Sequence, residues 1–342
     1  MERQNIRAGI YGASGYAGQE LIAILRQHPR VELVFATSST YAGEAVPGTG
    51  LHYIRPDDVN LSAADAVFLA LPHKASAPIA AAALAAGCRV IDLSADLRLD
   101  TPERYQTWYK TPHPHPELLP VPYGLPEFNR DKLRGAQIVA APGCYPTTTL
   151  LGLYPLLKTG ALAEGMPVIV DAKSGVSGAG REPKPTTHFV AVYGNLLPYN
   201  TGRAHRHVGE IEQEMHRLDS RIGPLIFTPH LLPVDRGLMA SIYVTLADEL
   251  QAAEAQVAYE ETYLNEPLVD VLPPGQQVSL KHVVRTDGAA ISLTPVGDKY
   301  LHITSVTDNL RKGASGQAVQ CFNLMYDLPE TTALTGLQGG TI

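Results

Sequence analysis

Cys144 occupies a place where a thiol becomes reactive. The stretch Ala140-Ala141-Pro142-Gly143-Cys144-Tyr145-Pro146-Thr147 leads from a strand pattern into a helix-compatible apolar run, Leu150 to Leu157. At a helix start, the dipole and the unpaired N–H groups of the first turn stabilise a thiolate. Cys88, just before a strand pattern, and Cys321, within the last helical pattern, read instead as small buried hydrophobes. A second feature is Gly12-Ala13-Ser14-Gly15-Tyr16-Ala17-Gly18, which follows a strand pattern and opens a helical one. Glycines there let the chain turn sharply, let a pyrophosphate approach, and let the helix pack on the sheet. The spacing departs from G-x-G-x-x-G, so its position on the first strand of a βαβ unit carries much of the argument. At the end of the second strand stands Ala36-Thr37-Ser38-Ser39-Thr40, with hydroxyls and no carboxylate to repel a 2′-phosphate. This predicts NADP rather than NAD. A thiolate beside a bound nicotinamide attacks an acyl carbon, holds it as a thioester and presents it to hydride.

The elements that position these groups fall into two patterns. Through about residue 149, short apolar runs (Arg7–Tyr11, Val31–Thr37, Ala66–Leu71, Arg89–Leu93, Gln137–Ala141) alternate with Ala-rich helical stretches, one of them from about Ala75 to Ala86. That alternation predicts a doubly wound parallel sheet of Rossmann type. Thr101–Phe128, rich in Pro, His and Tyr, reads as an irregular insertion. Beyond residue 149, runs at Pro167–Ala172, Leu225–Leu232, Ala240–Leu246, Ala289–Pro295 and Tyr300–Val306 predict a mainly antiparallel sheet in an α+β domain. A long helix is expected over about Asp248–Leu264, and a last one over Ala314–Met325. The fold class is therefore α/β with two domains, 1–149 and 150–312, and a C-terminal helix, 313–327, that returns to the first.

Composition narrows the function classes. The 342 residues are 45% hydrophobic and 18% charged, which fits a folded globular chain and excludes a disordered one. A formal charge of −7 without a basic run argues against nucleic-acid and membrane-surface partners. The longest apolar stretches, such as Ile79–Gly87, fall short of the roughly 20 residues that span a bilayer. The first strand pattern begins within a few residues of Met1, leaving no room for a secretory signal. Three cysteines make no disulfide framework. The expectation is a reduced, cytoplasmic protein.

Other polar residues take plainer readings. His205-x-His207 does not share a helical face and has no accompanying ligand set, so no metal is expected. His113-Pro114-His115-Pro116 reads as a solvated loop, and His73 as a turn residue at a strand end. His230, inside the apolar run Thr228–Pro233, reads as a core histidine. It is also the second choice for an acid/base, with Arg236 in support.

Six motifs stand in an order that resembles a known family. They are residues 12–18; Asp92-Leu93-Ser94-Ala95-Asp96-Leu97-Arg98; Pro142–Thr147; Lys173-Ser174-Gly175-Val176-Ser177-Gly178-Ala179-Gly180; His205-Arg206-His207-x-x-Glu210; and Gly313-Ala314-Ser315-Gly316-Gln317-Ala318-Val319-Gln320. The chain resembles the single-function N-acetyl-gamma-glutamyl-phosphate reductases, within the aspartate-semialdehyde dehydrogenase group. The resemblance implies a Rossmann domain that binds NADP through Gly12, Ala13, Ser14, Gly15, Tyr16, Ala17, Gly18, Ser38 and Ser39, with Gly316 near the nicotinamide. It implies a second domain for catalysis and dimerisation, and a homo-oligomer, dimer or tetramer.

The implied reaction reduces N-acetyl-L-glutamyl 5-phosphate with NADPH to N-acetyl-L-glutamate 5-semialdehyde, in arginine biosynthesis. Cys144 is then the nucleophile and His205 the acid/base. Ser174, Gly175 and Ser177 line the site, Tyr199, His207 and Glu210 shape the substrate pocket, and Arg98 receives the phosphate. The same chemistry on aspartyl phosphate, or on a carrier-bound aminoadipyl phosphate as in lysine synthesis, stays open in the sequence. No Lys/Arg cluster suited to an acidic carrier protein is evident. A non-catalytic NADP-binding sensor is disfavoured, because it would need neither the cysteine nor the histidine.

Overall fold

The computed structural model describes residues 5–248, 250–252 and 254–337. The chain forms two compact units. Among the described residues, one runs from Asn5 through Gly143 and includes Ala314–Leu334; the other is Cys144–Gly313 with Thr335–Leu337.

The first unit contains β1 (Ile6–Tyr11), α1 (Tyr16–Leu25), β2 (Val31–Ala36), β3 (Ala66–Leu69), α2 (Ser76–Ala85), β4 (Arg89–Asp92), α3 (Pro102–Tyr109), α4 (Pro126–Leu133) and β5 (Ile138–Ala140). Its sheet has the order β2-β1-β3-β4-β5, every pairing parallel. Strands covered on both faces read as continuous apolar runs, and β3 is wholly buried. Alternation divides its side chains. Ala66 and Phe68 pack with Leu21 and Leu25 of α1 and with Phe322 of the final helix, Gly316–Met325. Val67 and Leu69 pack with Ala77, Ala80 and Ala83 of α2.

The second unit contains α5 (Cys144–Thr159), β6 (Val168–Gly175), α6 (Phe189–Val192), β7 (Leu197–Pro198), α7 (His207–Leu218), β8 (Leu225–Leu232), β9 (Leu238–Thr245), α8 (Ala255–Tyr263), β10 (Val269–Val271), β11 (Ala289–Val296) and β12 (Tyr300–Thr307). Its sheet has the order β10-β11-β12-β9-β6-β8-β7. The β10–β11 and β6–β8 pairs are parallel and the remaining pairs among the described residues antiparallel. In β9, Leu238, Ala240, Ile242 and Val244 are buried, while Tyr243 between them is exposed. This is the period-two pattern of a sheet with one covered face. Helix α5 lies against β9 and β12 on that face. Truncating one of its buried leucines, such as Leu153, to Ala is expected to cost about 2–5 kcal/mol.

Several expectations are corrected. The stretch 101–128 is not irregular throughout. Thr101 caps α3 by accepting the Arg104 N–H at 3.2 Å, with Pro102 at the first helical position, and Tyr105 and Tyr109 are buried beneath it. Strand β3 stops at Leu69, because the chain turns through Pro72 and the positive φ of Lys74. Strand β6 runs on to Gly175, its Lys173 and Ser174 paired with His230 and Leu231 of β8. The helix expected over 248–264 is described only as α8, Ala255–Tyr263; Glu249 and Ala253 lie outside the described residues. The last helix begins at Gly316, after a wide turn of π type at Arg311–Ser315.

Candidate active site

In the first unit, the glycine loop closes around its own backbone. Gly12 has a φ of +73°, and a Cβ there would stand 2.2 Å from the Ala70 carbonyl oxygen. A Cβ on Gly18 would stand 2.4 Å from the Gly12 carbonyl oxygen. Only glycine permits this turn and this helix approach. Gly15 precedes α1 without a capping side chain, and no acidic residue lies in the first turn, so the helix start is shaped to accept an anion. The N–H groups of Gly12 and Ala13 donate to Thr37, at its hydroxyl (3.1 Å) and carbonyl (2.9 Å). Ser14 and Ser38 share a hydroxyl hydrogen bond of 2.9 Å, and the Tyr41 N–H donates to the Ser38 oxygen. Ser38 is thus buried and ties the loop together, while Ser39 and Thr40 stand exposed. Ser315 donates to the Ala17 carbonyl at 2.8 Å, which sets Gly316 beside the first turn of α1. The cradle fits a dinucleotide pyrophosphate. The hydroxyl-bearing, carboxylate-free end of β2 fits a 2′-phosphate.

Arg98, also in this unit, is nearly buried. Its Nε donates to the Ala141 carbonyl (2.9 Å) and its Nη2 to the Leu93 carbonyl (2.7 Å). These bonds brace the segment that leads to Pro142 and Gly143.

In the second unit, Cys144 is the first residue of α5 and is partly exposed. It borders a cleft of about 540 Å³ together with Tyr145, Ser174, Gly178, Tyr199, His205 and His207. Lys184, Thr186, Thr187, Asn200 and Arg206 supply a polar, partly cationic rim. Gly313 sits tight against the cysteine, since a Cβ there would stand 2.9 Å from that of Cys144. By contrast, Cys88 is buried with its thiol donating to the Leu61 and Ala64 carbonyls, and burial pushes its pKa up. Cys321 is buried with its thiol on the Gly124 carbonyl.

His205 stands in an aromatic box. Its ring lies 5.6 Å from Tyr145, 5.5 Å from Tyr199, 5.5 Å from Phe227 and 4.7 Å from His207, all edge-on. Burial there, with the Arg206 cation beside it, lowers its pKa to about 4, so the ring is neutral at physiological pH. The His207 main-chain N–H donates to its Nδ1 at 3.2 Å. An N–H can only donate, so Nδ1 is unprotonated and the single imidazole proton sits on Nε2. Tyr199 donates its phenol to the Tyr145 oxygen at 3.2 Å, and Tyr145 donates to the His230 carbonyl at 3.2 Å. Burial raises both phenol pKa values, that of Tyr199 to about 12.

The other residues singled out in the sequence divide. Ser174, Tyr199, His205 and His207 border the cleft with Cys144. Gly175, Ser177 and Glu210 do not line it. Gly175 donates its N–H to the Gly237 carbonyl, the Ser177 hydroxyl accepts from Asn309, and Glu210 is buried in the first turn of α7. His230 belongs to the opposite sheet face from Leu231, which borders the cleft; its Nδ1 meets the Asp171 carboxylate at 3.1 Å. No group of metal-ligating residues exists among the described residues. Sequence reasoning passed over Tyr145 as a cleft residue, although it directly follows the cysteine.

Comparison with known proteins adds independent support. A model described as the semialdehyde dehydrogenase NAD binding domain matches residues 7–136, and one described as its dimerisation domain matches 144–309. Aspartate semialdehyde dehydrogenase II from Vibrio cholerae has a similar structure, with a TM-score of 0.75 at 18% identity, covering 95% of this chain and 99% of that one. The enzyme from Candida albicans, solved with NADP, has a TM-score of 0.69 at 16% identity, covering 94% and 99%. At these identities the likeness speaks to the fold. Sequence relatives are nearer. N-acetyl-gamma-glutamyl-phosphate reductase from Moorella thermoacetica is 45% identical across 96% of this chain and 98% of its own length. The same-named proteins of Desulforudis audaxviator and Azotobacter vinelandii are 44% and 43% identical over the same shares. With that identity end to end, and both domain models matched in order, the chain belongs to the N-acetyl-gamma-glutamyl-phosphate reductase family.

Proposed function

We propose that this chain reduces N-acetyl-L-glutamyl 5-phosphate to N-acetyl-L-glutamate 5-semialdehyde and phosphate, as a cytoplasmic enzyme of arginine biosynthesis. The observation that carries the reading is Cys144 as the first residue of α5, sharing one cleft with the neutral, N–H-bearing His205. The thiolate attacks the acyl carbon, the C–O bond to phosphate breaks, and a thioester remains on Cys144. NADPH, when bound, supplies the hydride that turns the thioester carbon into that of an aldehyde. The His205 Nε2–H donates to the oxygen that gains negative charge as each tetrahedral carbon forms, and collapse of the second returns the Cys144 thiolate. Tyr199, Ser174 and His207 shape the cleft around the acyl chain. Lys184 and Arg206 give its rim the charge to attract an anionic substrate. Gly175, Ser177 and Glu210 support the site from behind. Arg98 acts by bracing the approach to Cys144, in addition to any contact with the phosphate.

In this reading residues 1–149, with the returning C-terminal helix, hold NADP. Gly12–Gly18 cradle the pyrophosphate, Ser38 fixes the loop, Ser39 faces the 2′-phosphate and Gly316 borders the nicotinamide site. Residues 150–312, with Cys144 just ahead of them, carry catalysis and assembly. The face of the second sheet away from α5 supports a homo-oligomer. Ile226, Ile169, Tyr243, His302 and Thr294 stand in register across β8, β6, β9, β12 and β11, and the first three are 40–48% exposed. Such a stripe suits a second copy of the same surface. The test of substrate is the reverse reaction. Phosphate-dependent NADP reduction should proceed with N-acetylglutamate semialdehyde and be at least about tenfold less efficient with aspartate semialdehyde, some 1.4 kcal/mol. Equal efficiency would remove the substrate assignment.

A further inference from the structure

Asn309, just past β12, is nearly buried and bonds to two segments remote in sequence. Its Oδ1 accepts the Gly237 N–H at 2.8 Å and its Nδ2 donates to the Ser177 hydroxyl oxygen at 3.0 Å. A main-chain N–H only donates, so the orientation of the carboxamide is fixed. The two segments are laced to each other as well. The Gly175, Val176 and Ser177 N–H groups donate to the carbonyls of Gly237, Val234 and Asp235. Asn309 thus spans this short ladder, which carries the Ser174–Ala179 segment and the cleft wall formed by its Ser174, Gly178 and Ala179.

The turn that holds Asn309 also reaches the cysteine. Asp308, fully buried, accepts the N–H groups of Arg285 (2.7 Å) and Leu310 (2.9 Å) on its carboxylate. Its carbonyl accepts the Gly313 N–H at 2.9 Å, and Gly313 is the residue packed against Cys144. We propose that Asn309 is a positioning residue, whose carboxamide holds the Ser174–Ala179 wall in register with Cys144. The inference rests on Cys144 as the reacting group, and it adds a residue that lies outside the cleft lining. A carboxamide suits the role because one planar group offers an acceptor and a donor on opposite sides, which alanine cannot replace.

The test compares Asn309→Ala, Asn309→Asp and Ser177→Ala in the full chain. One readout is turnover; the other is the rate at which iodoacetamide alkylates Cys144 as pH is varied. Small misplacements in a site cost orders of magnitude, so Asn309→Ala should lower kcat about 10- to 100-fold and change the alkylation rate at least about threefold. Asn309→Asp keeps the acceptor for Gly237 and can take a hydrogen bond from Ser177, so it should recover part of the loss. In a Ser177→Ala background, Asn309→Ala should cost less than it does alone. Wild-type kcat and alkylation in folded Asn309→Ala, with only a lower Tm, would reduce Asn309 to a stability residue and overturn the proposal. If Asn309→Ala fails to fold, Ser177→Ala decides: an unchanged alkylation profile overturns the proposal and a shifted one supports it. Alkylation needs no substrate, so this arm remains decisive if the substrate assignment fails.

Discussion

The His207 main-chain N–H donates to Nδ1 of His205 and thereby fixes which nitrogen of that ring carries the proton. The bond would be lost if Nδ1 were protonated, and burial, with the Arg206 cation beside the ring, independently lowers the pKa to about 4. In the proposed mechanism His205 therefore acts as a neutral N–H donor. A charged imidazolium beside the thiolate is not part of this picture.

That assignment has a pH signature. The folded pKa lies below the ordinary value of 6.5, so the unfolded chain takes up the proton first. The stability that depends on neutral His205 is present above pH 6.5 and is lost as pH falls towards about 4. With His205 neutral from about pH 4 upwards, the pH–kcat profile should show no limb near 6.5 that traces to it, and loss of its oxyanion donor in His205→Asn should lower kcat by about 10²–10³. A limb near 6.5 that His205→Asn removes would contradict the tautomer argument. His230→Asn should leave kcat close to wild type.

Cysteine selectivity follows from burial. At neutral pH an alkylating agent added at one equivalent should modify Cys144 first, because Cys88 and Cys321 are buried with their thiols on carbonyl oxygens. Peptide mapping by mass spectrometry reads the site. Earlier labelling of either buried cysteine would count against the assignment. Cys144→Ser should abolish turnover and leave NADPH affinity nearly intact.

Cofactor preference rests on the end of β2. NADPH should bind at least about tenfold more tightly than NADH, a difference of 1.4 kcal/mol. Ser39→Asp adds a carboxylate at an exposed position beside the loop and should narrow or reverse that ratio. Titration of each variant by intrinsic fluorescence measures it. An unchanged ratio would show that Ser39 does not face the 2′-phosphate.

How much of this was legible in the residues depends on distance along the chain. The glycine loop, the helix start at Cys144 and the parallel order of the first sheet follow from local spacing, and each is found. Helix α3 carries a helix-start signature in Thr101-Pro102-Glu103, but its eight residues are followed by Pro112, Pro114 and Pro116, whose composition signals a loop. The aromatic box of His205 joins residues 145, 199, 205 and 227, which no local pattern brings together. That His205 borders the cleft while His230 lies on the face of β8 away from Leu231 follows only from the tertiary fold. Asn309 reaches Ser177 across more than a hundred residues, so only the tertiary fold brings the two together.

Assembly gives an independent check on the second sheet. Tyr243→Asp places a charge in the middle of the exposed stripe, stacked on His302, without touching the buried face of β9. If this surface joins copies, sedimentation velocity should show a shift towards smaller species with the fold retained by circular dichroism. An unchanged sedimentation coefficient would move the interface elsewhere.

The central claim is that Cys144 carries the acyl group. Its most direct test is intact-protein and peptide mass spectrometry of the enzyme mixed with freshly generated N-acetyl-L-glutamyl 5-phosphate in the absence of NADPH. The account predicts an N-acetylglutamyl adduct on the peptide that contains Cys144, sensitive to hydroxylamine, discharged on addition of NADPH, and absent in Cys144→Ser. An adduct on another residue, or steady turnover with no adduct at Cys144 under any quench, would contradict it.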